Sequence, residues 1–118
     1  MKKKKICILI NVDWFAISHF LHYFKKIISE GHELSVITSN TGQIDKLKLS
    51  GIEVHEVKLD RGFKSIFSEI NSIIEIYKTI KKINPEYFEM ITIKSIIYGG
   101  FISKLLNIKK NIIYISGL

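Results

Sequence analysis

Ile6 to Ile10 is a continuous apolar run rich in β-branched residues, the pattern of a strand covered on both faces. Asn11 and Asp13 interrupt it with short polar side chains suited to a turn. Ser18 then stands where an N-cap would, and Phe20, Leu21, Phe24, Ile27 and Ile28 follow at helical spacing up to Gly31, the expected left-handed stop. The polar stretch Asn11 to His19 is thus predicted to link strand and helix.

Glu33 to Ser39 reads as a second strand, bounded by Asn40, Thr41 and Gly42. A short helix over Gln43 to Leu49, with Ile44 and Leu47 inward, ends at Ser50-Gly51. Ile52 to Val57 alternates and predicts a third strand nearer the sheet edge, followed by a charged turn over Lys58 to Gly62. From Phe63, the positions Ile66, Phe67, Ile70, Ile73, Ile74, Tyr77, Ile80 and Ile83 hold helical period for about five turns, until Asn84-Pro85 closes the helix. Tyr87 to Ile93 predicts a fourth strand, Lys94 to Asn107 a helix, and Asn111 to Ser116 a fifth strand. Gly99-Gly100 inside that last helix costs about 1 kcal/mol per glycine relative to alanine and suggests close packing on the sheet. Strands alternating with helices specify an α/β fold: a Rossmann-like, doubly wound parallel sheet of about five strands, order 3-2-1-4-5, in one domain spanning 1–118. Ending on a strand with no helix behind it leaves one edge and part of one face uncovered, so the sequence reads as cut short.

Composition narrows the function classes. No apolar run is long enough to span a bilayer, and the start lacks a signal-peptide cleavage site. A single Cys7 excludes an internal disulfide and fits a reducing compartment, hence a cytoplasmic expectation. The net charge of +7, from 18 Lys and Arg against 11 Asp and Glu, favours polyanions or an anionic membrane surface, unless lysine merely solvates helix faces. Without basic patches interleaved with aromatics, or any recognisable module, a nucleic-acid binder is not expected.

The motifs exclude as much as they suggest. No glycine lies between Asn11 and Ile17, so a G-x-G-x-x-G dinucleotide turn is absent, as is a Walker-type phosphate loop. His19 and His22 are three apart without a third ligand, so no metal site is expected. What stands out is a set of polar residues at strand ends: Asn11, Asp13, Trp14, Ser18 and His19 after the first strand, Ser39 to Thr41 after the second, Thr92 and Lys94 after the fourth, Ser116 and Gly117 after the fifth. In a parallel sheet all lie on the carboxyl rim, where such folds bind ligands. His19 could serve as a general base, a donor to a sugar hydroxyl or phosphate, or a histidine bonded within its loop. Trp14-Phe15 fits an aromatic platform for a sugar ring, a lipid-facing plug, or a cover over the sheet end. Lys94 faces a bound anion or is an exposed helix lysine. His22, His32 and His55 are expected at the surface.

The stretch NVDWFAISHFLHYFKKIISEGHELSVIT resembles the opening of the glycosyltransferase family 4 (group 1) enzymes: strand, N-x-D/x-W-F-x-x-S-H, helix, G-H-x-V, strand. ITIKSIIYGGFISKLLNIKKNIIYISGL resembles the same family's T-x-K-P-x-x-Y-G-G segment with its closing S-G-L, best in the subgroup building bacterial O-antigen and capsule units on a polyprenyl carrier. Glu89 departs from a common histidine and Ser95 from a common proline. The resemblance implies the incomplete N-terminal, acceptor-side half of a GT-B fold. The donor-binding C-terminal domain, which would hold a nucleotide-sugar, is not encoded here. It also implies Asp13 and His19 as catalytic, with Asn11, Trp14, Phe15, Ser18, Thr92, Lys94, Ser116 and Gly117 binding substrate. No cofactor is implied beyond the nucleotide-sugar donor of the full-length enzyme. The partners implied are a polyprenyl-linked or saccharide acceptor, an anionic membrane surface at the inner face of the cell membrane, and a second chain supplying the donor domain. The function expected is sugar transfer to that acceptor, inactive in this chain alone. The alternative is a non-catalytic, membrane-associated subunit docking a separate glycosyltransferase chain.

Overall fold

A computed structural model describes residues 2–59 and 65–115. The elements are β1 (Lys5–Val12), α1 (Asp13–Ser29), β2 (Glu33–Ser39), α2 (Ile44–Leu49), β3 (Glu53–Glu56), α3 (Ile66–Ile83), β4 (Tyr87–Ile91), α4 (Ile93–Leu106) and β5 (Lys110–Tyr114). All strand pairs are parallel, in the order β3-β2-β1-β4-β5, as the alternation predicted.

β1 is buried on both faces, and its side chains divide between two cores. Ile6, Ile8 and Ile10 pack with Phe24 and Ile27 of α1 and Leu47 of α2 on one side. Cys7 and Leu9 pack with Ile76 and Ile80 of α3 and Ile102 of α4 on the other. The helices therefore switch faces between β1 and β4, whose carboxyl ends pair Ile10 with Ile91, and that is where a doubly wound sheet opens a crevice.

Helix ends follow the signals in the sequence. At Gly31, φ is +89°, its N–H reaches the Ile28 carbonyl and the His32 N–H that of Ile27, so the helix ends in a Schellman arrangement. Asn84 closes α3 in the left-handed region, and the Ser65 hydroxyl accepts from the Ser68 N–H at its start. Gly99 is buried against β4, where an added Cβ would lie 2.8 Å from Met90 Cγ and 3.1 Å from Phe88 Cε2; Gly100 has nothing within 4 Å. Of the glycine pair, only Gly99 permits close packing.

One expectation fails at the centre of the chain. No polar loop separates β1 from α1: the helix starts at Asp13, and its N-cap is Val12, not Ser18. Ser18 lies inside α1 and bonds back to the Phe15 carbonyl at 3.4 Å. The sequence misled because Asn11 and Asp13 have turn-forming side chains, whereas Asp13 finds its partners far along the chain.

Candidate functional site

Asp13 is fully buried although it opens a helix. Its Oδ1 accepts the Trp14 N–H at 2.8 Å, its Oδ2 accepts the Gln43 N–H at 2.8 Å, and the Thr41 N–H and hydroxyl both donate to it. Burial pushes its pKa up, but these hydrogen bonds outweigh burial and hold the carboxyl below its ordinary value. An ionised carboxylate thus occupies the positive end of α1 and pins the β2–α2 loop to it.

The next turns of α1 carry the exposed part of the site. Trp14 is 41% exposed and meets Phe15 edge-on, with ring centroids 5.9 Å apart. Phe15 stacks on the His19 imidazole at 4.5 Å, and Nδ1 of His19 lies 2.8 Å from the Ser18 hydroxyl. That contact fixes the ring and leaves Nε2 without a partner among the described residues. Ser18, His19, His22 and Lys25 border a shallow depression of about 310 Å³. His22 is exposed as expected, while His32 and His55 are half-buried, accepting from the Lys4 N–H and pairing with Glu53 respectively.

At the switch point the backbone is irregular on both sides. The register of β1 against β2 shifts between Leu9 and Val12, and the Asn11 Oδ1 there is buried without a partner among the described residues. Across from it, Thr92 has φ +83° and ψ 153°, a conformation that β-branched residues avoid and that costs of order 1–3 kcal/mol. Its hydroxyl donates to Ser95 Oγ at 3.1 Å, and its carbonyl accepts the Ile96 N–H.

Lys94 follows, and it is not the exposed helix lysine that its sequence position allowed. It is buried, with Nζ 3.0 Å from the Glu69 carboxylate of α3 and 5.6 Å from the Tyr98 ring centroid. The Tyr98 hydroxyl also donates to Glu69, and burial followed by that carboxylate pushes the phenol up. Asn11, Asp13, Thr92 and Lys94 share the carboxyl rim; Ser18 and His19 lie one to two turns down α1; Ser116 and Gly117 lie outside the described residues. Sequence reasoning missed Glu69 and Tyr98. Glu69 continues the inward spacing of Ser72, Ile76, Ile80 and Ile83, a signal that could have found it. Glu89 is a second buried carboxylate, mid-strand in β4, where it accepts the Tyr23 hydroxyl at 2.8 Å and is raised by burial.

The larger cleft, about 560 Å³ and lined by Lys3, Lys5, His32, Glu53, His55 and Lys82 among others, lies at the opposite, amino-terminal end of the strands. Helix carboxyl termini converge there, which accounts for its lysines. Among the described residues no group of three metal-ligating side chains occurs, and no helix is long and apolar enough to cross a membrane.

Comparison with known proteins places this geometry. Among solved structures, a glycosyltransferase from Rickettsia africae superposes with a TM-score of 0.75 at 16% identity over 100% of this chain and 31% of that one. MurG from Acinetobacter baumannii gives 0.63 at 16% over 92% of this chain and 33% of that one. The C-terminal domain of a Pyrococcus furiosus hydrogenase also matches, at 0.64 and 10% over 97% and 94%. At such identities the likeness is of fold: the Rossmann-like half of the GT-B glycosyltransferases, which other proteins share. The chain spans about a third of the length of the two glycosyltransferase chains. No curated protein matches the sequence. A family profile described as glycosyl transferase 4-like matches residues 5–118, so the chain belongs to the glycosyl transferase 4-like family.

Proposed function

We propose that this chain is the acceptor-binding, N-terminal part of a glycosyltransferase that moves a sugar from a nucleotide-sugar to a polyprenyl-linked or growing polysaccharide acceptor, of the kind that builds O-antigen or capsule. One observation supports the acceptor side over the donor side. The β1–α1 junction has no loop, and the ionised Asp13 already fills the helix terminus where a diphosphate would otherwise bind. Any diphosphate, the donor's or a lipid carrier's, is repelled from that terminus, which leaves the acceptor's sugar hydroxyl to meet the open Nε2 of His19 and the faces of Trp14 and Phe15.

In this reading His19 takes the acceptor proton, while a separate donor-binding domain supplies positive charge to the departing diphosphate. Asp13 acts by fixing the start of α1. Ser18 orients the imidazole, and the orphan Asn11 Oδ1 accepts from an acceptor hydroxyl. Thr92 lines the facing lip, and Lys94 reaches an acceptor phosphate by exchanging Glu69 for it. Without the donor domain the chain does not turn over alone. A lipid-carried acceptor places it at the inner face of the cell membrane.

The test is an amide-shift titration of the chain with a short-chain polyprenyl diphosphate sugar and, separately, a uridine diphosphate hexose. The acceptor analogue should perturb residues 11–19 and 92–95, and the nucleotide-sugar should perturb none and yield no transferred sugar. Saturable nucleotide-sugar binding at β1–α1, or acceptor shifts confined to the amino-terminal cleft, would overturn the reading.

A further inference from the structure

Lys94 is a cation in the first turn of α4, where the positive helix end opposes it, and no acidic residue of that turn balances it. The balance comes from another helix. Glu69 of α3 lies 3.0 Å from the Lys94 Nζ, and the two side chains are only 14% and 7% exposed. One turn further along α4, the Tyr98 hydroxyl holds the same carboxylate. An ion pair so far out of water stabilises a fold no better than an apolar pair of like size, so packing alone gives it no reason to be there. Its position does. Lys94 stands two residues after the strained Thr92, which follows Ile91, the ladder partner of Ile10, and so lies at the lip of the acceptor site beside Asn11.

The two lips of the site treat a phosphate differently. Asp13 keeps a diphosphate off the start of α1, which leaves the start of α4 as the place where a carrier's phosphate meets a cation. That cation is already engaged. A sugar hydroxyl is neutral and does not draw an ammonium away from a carboxylate, because charge-assisted hydrogen bonds are about twice as strong as neutral ones. A phosphate does, since it brings its own charge and repels Glu69 as it arrives. We propose that Glu69 is a specificity-determining residue of the acceptor site: an internal anion that withholds Lys94 from an unphosphorylated sugar and yields it to a phosphorylated one. The proposal rests on the acceptor reading and adds the residue that sets carrier-linked acceptors apart from free sugars.

Amide-shift titrations of the whole chain with a short-chain polyprenyl diphosphate sugar, and with the methyl glycoside of the same sugar, test it. In wild type both ligands should shift residues 14–19, but only the first should shift Glu69 and Tyr98. Glu69→Gln, which keeps an oxygen for the Tyr98 hydroxyl, should bind the diphosphate sugar about tenfold tighter and the glycoside as before. Lys94→Gln should weaken the diphosphate sugar alone. Urea midpoints verify that both variants fold; where Glu69→Gln does not, the wild-type shifts at Glu69 decide by themselves. If neither ligand shifts residues 14–19, the acceptor reading fails and takes this inference with it. If both do, and Glu69 stays silent or Glu69→Gln gains nothing for the diphosphate sugar, the inference alone is overturned.

Discussion

Replacing Asp13 by alanine tests whether this side chain is a clamp rather than a freely titrating catalytic group. The change takes the acceptor away from the N–H groups of Trp14, Thr41 and Gln43 and the Thr41 hydroxyl, whose bonds to the buried Asp13 are all part-buried. A hydrogen bond to a charged group contributes about 1.5–3 kcal/mol, and an orphaned donor costs about 1–3 kcal/mol. Partial rehydration of the β2–α2 loop, where Thr41 is exposed, recovers some of this, so a net loss of about 3 kcal/mol is expected. At about 2.1 cal/mol/K per residue, a chain of 118 residues has an unfolding entropy near 0.25 kcal/mol/K, which converts that loss to a drop in Tm of about 12 °C. The pH dependence has a definite sign. Because the folded pKa is depressed, the unfolded state binds more protons in acid; the stabilisation is complete above the unfolded value, near 3.9, and disappears as pH falls through the folded value. Wild type should therefore lose stability on acidification below pH 4 more steeply than Asp13→Ala. Urea unfolding by circular dichroism at neutral and acid pH measures both effects. An alanine variant with an unchanged midpoint and an unchanged acid slope would refute the clamp.

Three other changes separate packing from charge. Gly99→Ala should cost about 1–3 kcal/mol by forcing Met90 and Phe88 apart, while Gly100→Ala, with open space around it, should gain about 0.5–1 kcal/mol; urea midpoints of the two variants should move in opposite directions. Glu89 is raised by burial, so its stabilising contribution is full below the unfolded glutamate value and falls as pH rises above it; Glu89→Gln should flatten that decline between acid and neutral pH in thermal melts. Lys94→Met should cost about 1.5–3 kcal/mol by removing the charged hydrogen bond between Lys94 and the half-buried Glu69, and adding Glu69→Leu should recover part of it, as a double-mutant cycle in urea would show.

The fold was legible because its signals are local. The apolar run of β1, the four-residue spacing in α3, and the stops at Gly31 and Asn84 each depend on residues within a turn or two. The start of α1 was not legible. The residues that satisfy Asp13, Thr41 and Gln43, are 28 and 30 positions away, so a buried carboxylate at a helix start looked like a turn residue. The burial of Lys94 was not legible for the same reason, its partner Glu69 lying on another helix.

By itself, then, the sequence determined which segments are strands and helices, their order in the sheet, and the rim on which Asn11, Asp13, Thr92 and Lys94 gather. Those outcomes follow from hydrophobic period and from backbone conformations that only certain residues tolerate. Tertiary structure alone decided which of those polar groups are engaged and which stay open. It joined Asp13 to the β2–α2 loop, paired Lys94 with Glu69, and left Nε2 of His19 and apolar side chains of α3 and α4 facing outward. Hydrogen bonds and ion pairs between elements are set by how the layers stack, and no spacing along the chain records that.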